Sequence, residues 1–150
     1  MTRLKNAYLD DDIHADESDY LYIDSSGISQ AGLGLFTAID IYKDEVIAIY
    51  HGEKLQAKQI AQKILENNNK YFINLPQGGV FDCGQTDGYA KYANDAEGFI
   101  KSAYKNNAKI AFDESNAICL IALRNIKAQQ EIFCSYGKGY WRGIEASNNY

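Results

Sequence analysis

Metal-ligating side chains are scarce in this sequence. It has two histidines, His14 and His51, and three cysteines, Cys83, Cys119 and Cys134, far apart and without a C-x-x-C pair. Too few ligands exist for a transition-metal constellation, so no metal is expected. An odd, unclustered cysteine count also argues against a disulfide framework. Apolar runs are short, and none approaches the length that spans a bilayer. The first twenty residues are acidic and lack an apolar centre, unlike a signal or transit peptide. Basic residues are outnumbered, 15 against 20 acids, for a net charge of −5. That balance opposes the basic footprint of a nucleic-acid binder and suits a basic partner such as a Lys/Arg-rich segment. The expected location is the cytoplasm, with a host nucleus or a secreted effector left open.

What is present is ordinary for a soluble domain: 46% hydrophobic and 23% charged residues in a chain of 150. That length suits one domain, which on folding buries roughly 70% of its chain surface. Six acids (Asp10, Asp11, Asp12, Asp16, Glu17, Asp19) crowd the start. They read first as a solvated lead over residues 1–19, and second as a surface that steers a basic substrate. Residues 20–150 form the domain proper.

Strands dominate the pattern. LYID (Leu21 to Asp24) reads as a strand, SSGISQAGLG as a loop, and LFTAI (Leu35 to Ile39) and VIAIY (Val46 to Tyr50) as strands. Residues Leu55 to Asn67 read as the one clear helix, with Ala57, Ile60, Ala61, Ile64 and Leu65 on one face. The run Asn67-Asn68-Asn69 ends it, because Asn tolerates the left-handed conformation. KYFINL and VFDC suggest a hairpin across PQGG, with the only proline, Pro76, in the turn. Residues 84–98 read as irregular with one short helical turn. NAKIAFD and AICLIALRNI suggest another hairpin, and EIFCSY a last strand before the glycine-punctuated tail GKGYWRG. Strand following strand excludes an alternating βαβ plan. The expected class is mainly β: small antiparallel or mixed sheets with one helix packed on them.

Gly32-Leu33-Gly34 is a G-x-G, yet a dinucleotide fingerprint would need a third glycine where Thr37 stands, and a helix rather than a strand after it. A Rossmann-type site is therefore rejected. On spacing alone the G-x-G is a turn, or a place where backbone approaches a small ligand.

In combination the motifs resemble the SET-domain protein-lysine methyltransferases. GLGLFTAIDIYKDEVIAIYHGE is similar to the family's G-x-G-x-F strand, charged turn and Y-x-G-E ending, here Tyr50-His51-Gly52-Glu53. Tyr71-Phe72-Ile73-Asn74 resembles its Y-x-F strand, and Ala90-Lys91-Tyr92-Ala93-Asn94-Asp95 its A-R-F-I-N-H segment. Glu131 to Gly137 (EIFCSYG) resembles E-L-T-Y-D-Y-G. The blocks run in family order over residues 27 to 141.

The resemblance implies a β-clip-like SET fold with its C-terminal segment threaded in a pseudoknot. It implies S-adenosylmethionine as cofactor, leaving S-adenosylhomocysteine. Gly32, Leu33, Gly34, Asn94, Asp95, Tyr136 and Trp141 would line the cofactor site, Asn94 bonding its amino-acid end. Tyr71, Cys134 and Tyr136 would line the channel for a lysine of a protein substrate, with Tyr136 and Tyr71 nearest the reaction. Tyr140 and Trp141 would close the site from the tail, and Lys91, where the family has Arg, would be structural or exposed. Asp95 replaces the family's His, Asn107 could stand for the Asn of its lost C-x-P-N, and no zinc cluster follows. Cys134 replaces an aromatic that helps set the number of methyls added, so mono-, di- or trimethylation stays open.

The implied chemistry is direct displacement, which needs a neutral amine. A free lysine has a pKa of about 10.4, so deprotonation at pH 7 costs about 4–5 kcal/mol. A narrow apolar channel and the nearby sulfonium both disfavour the ammonium and reduce that cost. Tyrosines suit such a channel, with apolar ring walls and weakly polar hydroxyls. An inactive SET-fold binding module is the alternative reading, and a small-molecule or non-lysine acceptor a third.

Overall fold

A computed structural model describes residues 12–75, 78–98 and 102–136. Its strands are β1 (Leu21–Ser25), β2 (Leu33–Thr37), β3 (Val46–Ile49), β4 (Glu53–Leu55), β5 (Phe72–Asn74), β6 (Val80–Asp82), β7 (Ala108–Phe112), β8 (Ile118–Ala122) and β9 (Glu131–Ile132). They form three three-stranded sheets, ordered β1-β2-β9, β3-β8-β7 and β4-β6-β5. Every pair of these strands is antiparallel, as the strand-after-strand pattern requires.

Burial explains the strand sequences. β8 lies between β3 and β7, and of its ICLIA run Cys119, Leu120 and Ala122 are 0% exposed. A central strand covered on both faces is continuously apolar rather than alternating. Leu35, Ile47, Ile126 and Ile132 join Leu120 in one core that draws on all parts of the chain.

Several element boundaries differ from the sequence expectation. β2 starts at Leu33 rather than Leu35 and stops at Thr37, so Leu33 and Gly34 are strand residues, not loop. Thr37 Oγ1 donates to Ile39 O (2.7 Å) and accepts from Ile39 N (3.1 Å), which turns the chain out of the sheet. β8 ends at Ala122, short of the expected Ile126, although Leu123 N still donates to Asn107 O (2.9 Å) in the register of the β7–β8 pair. Leu55, expected as the start of the helix, instead ends strand β4, which pairs to β6. The two expected hairpins are present, with Phe72 opposite Asp82 and Ala108 opposite Ala122.

The clear helix, α2, is Ala57–Leu65, preceded by a short α1 at Glu17–Tyr20; a 3-10 turn covers Ala90–Tyr92. Asn67 has φ +55, the left-handed terminator its sequence suggested. Among the described residues, however, the expected packing of α2 is slight, with Ile60 only half-buried. No α2 residue is buried, and Ile64 and Leu65 are 41% and 81% exposed. What joins α2 to β6 is Lys63 Nζ on the buried carboxylate of Asp82 at 2.5 Å. Periodicity reports which face is apolar, and only the tertiary arrangement decides whether anything covers it.

Residues 12–19 of the acidic lead lie along β3: Asp12 bridges Val46, and Glu17 Oε2 accepts Ile49 N (3.2 Å). Asp10 and Asp11 fall outside the described residues, as do Tyr140 and Trp141.

The C-terminal segment has partners on both edges. Through Ile132 it pairs with Leu35 of β2, and Cys134 N donates to Asn94 O (2.9 Å). From the opposite edge Phe133 O accepts from Asn107 N (3.0 Å) and Ala108 N (2.9 Å). The Asn107 side chain fixes the crossing, with Nδ2 donating to Glu131 O (3.0 Å) and Oδ1 accepting Phe133 N (2.8 Å). Residues 131–134 thus run between the 94 and 107–108 segments, bonded to both, where the sequence leads one to expect the threaded C-terminal segment.

Candidate functional site

Four separate stretches of sequence meet at one cavity of about 150 Å³. The start of β2 contributes Leu33, and the turn before β5 contributes Lys70 and Tyr71. The 3-10 turn and its exit bring Lys91, Tyr92, Asn94 and Asp95, and the C-terminal segment brings Tyr136. Ile28 and Ala31, from the loop ahead of the G-x-G, complete an apolar side. Of the sequence-expected residues, Leu33, Tyr71, Asn94, Asp95 and Tyr136 therefore share one wall system.

Hydrogen bonds set each of the polar members. Asn94 Nδ2 donates to Leu33 O (2.9 Å), tying the 3-10 exit to the G-x-G strand. Asp95 is buried, and its Oδ1 accepts from Glu97 N and Asn106 Nδ2, each at 3.0 Å. Its Oδ2 accepts from Tyr136 N (3.2 Å), while the Tyr136 hydroxyl donates to Ala93 O. Both ends of Tyr136 are consequently held by the 93–95 segment. Asp95 borders the cavity, but these bonds turn its carboxylate toward the fold, where it orients Tyr136.

Tyr71 meets Tyr92 edge-on, ring centroids 5.9 Å apart. Lys91 sits over both rings, its Nζ 5.1 Å from the Tyr71 centroid and 5.4 Å from that of Tyr92. The ammonium donates to Thr86 O (2.5 Å) and lies 3.5 Å from Cys83 O. Lys91 is thus a partly buried wall residue with a structural bonding pattern, not an exposed one. Tyr71, Lys91 and Tyr136 also bound a second void of about 10 Å³, closed by Tyr50, Phe72 and Ile73. Together these three side chains partition two adjoining spaces, the smaller about the size of one water.

Cys134 is 0% exposed and is not part of either wall. It lies beneath, its Sγ 3.6 Å from the Tyr50 hydroxyl. Burial pushes its thiol up to about 12, and burial with the Asp82 charge does the same for Cys83. Cys119 rises to about 11, again chiefly through burial. The thiolate is the reactive form, so all three should be inert in the folded state. A thiol-reactive disulfide reagent at pH 8 is expected to report no rapid thiol on native protein and three after denaturation. One rapid native thiol would contradict this packing.

The two glycines have different local causes. Gly32 has φ +75, and a Cβ there would meet nothing within 4 Å, so its requirement is backbone conformation. Gly34 has ordinary φ, yet a Cβ there would overlap Glu131 Oε2 and lie 2.9 Å from the carboxyl carbon. Neither lines the cavity; Leu33 between them does. A larger hollow of about 420 Å³, floored by Phe36, Tyr104 and Phe133, contains none of the sequence-expected residues of the cofactor site or lysine channel.

Sequence reasoning did not assign Tyr50, Lys70 or Tyr92 to the site. Tyr50 and Tyr92 lie inside recognised motif blocks, and Lys70 immediately precedes Tyr71, so adjacency was the available signal.

A family profile described as the SET domain matches residues 32–137. No curated protein matches the chain. Among solved structures, a humanized mutant of the Chaetomium thermophilum Polycomb Repressive Complex 2 bound to the inhibitor GSK126 is similar at 24% identity and TM-score 0.62. The similarity covers 78% of this chain and 15% of that one. ctPRC2 in an autoinhibited conformation bound to S-adenosylmethionine is similar at 24% identity and TM-score 0.63, over 87% of this chain and 16% of that one. This chain therefore spans about one-sixth of the structures it matches, and the likeness concerns the fold. With its small antiparallel sheets and its profile match in agreement, this chain belongs to the SET-domain family.

Proposed function

We propose that this protein is an S-adenosylmethionine-dependent protein-lysine N-methyltransferase. The observation that carries the reading is the convergence of Leu33, Tyr71, Asn94, Asp95 and Tyr136 on one cavity, with a second void behind Tyr71 and Tyr136. The family's chemistry needs two adjoining spaces, one for the cofactor and one for the acceptor amine. In this reading the Asn94 side of the cavity takes the cofactor's amino-acid end. Tyr71 and Tyr136 would wall the lysine channel, with the Tyr136 hydroxyl, held by Ala93 O, near the reacting atoms.

The cofactor supplies the activated methyl group. The protein's contribution is alignment and exclusion of water, which suits a wall held by hydrogen bonds at both ends of Tyr136. An apolar channel also favours the neutral amine that must attack. With a net charge of −5 the partner is a basic protein segment, and histone tails are the first candidates to assay. The cytoplasm is the proposed location.

Calorimetry with S-adenosylmethionine, then radiolabelled methyl transfer onto histones and a host lysate, tests the proposal. Cofactor binding and label on a lysine side chain are expected. No cofactor binding would overturn it. Binding without transfer to any protein would favour the inactive binding module.

A further inference from the structure

Two consecutive asparagines bond to different segments. Asn107 holds residues 131 and 133, whereas Asn106 reaches the segment that leaves the 3-10 turn. Asn106 is 8% exposed and lies on neither wall of the two voids. Its Oδ1 accepts Ala96 N (2.8 Å), and its Nδ2 donates to Asp95 Oδ1 (3.0 Å). A backbone N–H can only donate, so the Ala96 bond fixes which way the amide points and leaves Nδ2 facing Asp95. The backbone of Asn106 is pinned as well: its N donates to Glu97 Oε2 and its O accepts from Arg124 Nη2, both at 2.9 Å. On the other side of the Asp95 carboxylate, Oδ2 accepts Tyr136 N (3.2 Å).

We propose that Asn106 is a positioning residue for Tyr136, acting through the Asp95 carboxylate; the inference rests on the reaction role given to Tyr136 above. The torsion that rotates a carboxylate is broad, so it does not by itself aim Oδ2 at the Tyr136 amide. Hydrogen bonds on Oδ1 must do so. One comes from Glu97 N, two residues on, a local bond that an aspartate makes within its own turn. Asn106 supplies the other across a sequence separation of 11. It ties the carboxylate to a backbone that Glu97 and Arg124 hold in place. Where the family has a histidine this chain has Asp95, and a buried carboxylate needs donors. The Tyr136 amide in turn sets where the ring leaves the backbone, at the boundary of the two voids.

Asn106→Asp tests this, because it keeps the acceptor for Ala96 N and replaces only the donor that faces Asp95. Asn106→Ala removes that donor without adding charge, and serves if the like-charged pair does not fold. In cofactor-free protein carrying nitrogen-labelled tyrosine, the NMR signal of the Tyr136 amide, identified by its loss in Tyr136→Phe, should shift while that of Tyr71 stays. Methyl transfer should fall about tenfold or more, with S-adenosylmethionine affinity within about twofold of wild type. Added to Tyr136→Phe, the same substitution should lower turnover little further, because both losses act on one side chain. An unmoved Tyr136 amide, wild-type turnover, or a loss fully additive with that of Tyr136→Phe would each overturn the positioning role, as would failure of both variants to fold. Wild-type protein that methylates nothing overturns the functional reading and this role together, whereas an unmoved amide overturns the role alone.

Discussion

Tyr136→Phe should fold, bind S-adenosylmethionine and lose methyl transfer by about a hundredfold or more. The magnitude follows from alignment. A displacement reaction is sensitive to small misplacements of the reacting atoms, and an error of about 1 Å costs about a hundredfold. The hydroxyl is the only group removed, and it is the group that fixes the ring to Ala93 O at the boundary between the two voids. The backbone end of the residue stays anchored, because Asp95 accepts from its amide and not from its side chain. Loss of one partly buried hydrogen bond costs about 1 kcal/mol, or about 2–4 °C in Tm for a domain of this size. Stability and cofactor affinity should consequently change little while turnover collapses. Single-turnover transfer and calorimetry on the same preparation separate these quantities. Wild-type turnover in the variant would remove Tyr136 from the reaction, and lost cofactor binding would make it a binding residue instead.

The largest expected loss of stability comes from Gly34→Ala. The new methyl would overlap Glu131 Oε2 and lie 2.9 Å from its carboxyl carbon. Glu131 is 7% exposed and cannot simply swing into water. Its two oxygens accept from Ser26 Oγ and Gly27 N, both at 2.7 Å, and so hold the loop that leads into the cavity. Relieving the clash breaks at least one of these bonds and strains the β2–β9 pairing around it. The combined cost is about 3 kcal/mol, about 6–12 °C in Tm. A double-mutant cycle identifies the cause: Gly34→Ala should add little once Glu131→Ala has removed the obstacle. A Tm within about 2 °C of wild type for Gly34→Ala alone would refute the account. The resemblance assigns this glycine to cofactor contact, but here a buried carboxylate forbids a side chain whether or not a cofactor is bound.

Much of this was legible in the sequence because it is local. The antiparallel class followed from strand-after-strand order, the end of α2 from Asn67, and both hairpins from their turn residues. The Gly32–Gly34 segment, Tyr71, Asn94 and Tyr136 were found through motif order. Misreadings arose where non-local pairing decides. Glu53–Leu55 shows no strand pattern of its own and is a strand because β6 lies beside it. Leu33 and Gly34 look like loop residues and pair with Ser25 and Asp24 of β1.

The sequence by itself determined the strand-rich class, the family and the identity of half of the cavity residues, since motif identity and order are properties of the chain. Tertiary structure alone decided what those residues touch. It set Asp95 against the Tyr136 amide and Lys91 across two tyrosine rings. It placed Glu131 against Gly34 and Cys134 beneath the site beside Tyr50, and left Ile64 and Leu65 on the apolar face of α2 exposed. Each of those contacts joins residues remote in the sequence or depends on surrounding packing. Hydrogen bonds and burial act on distance in space, which local patterns do not encode.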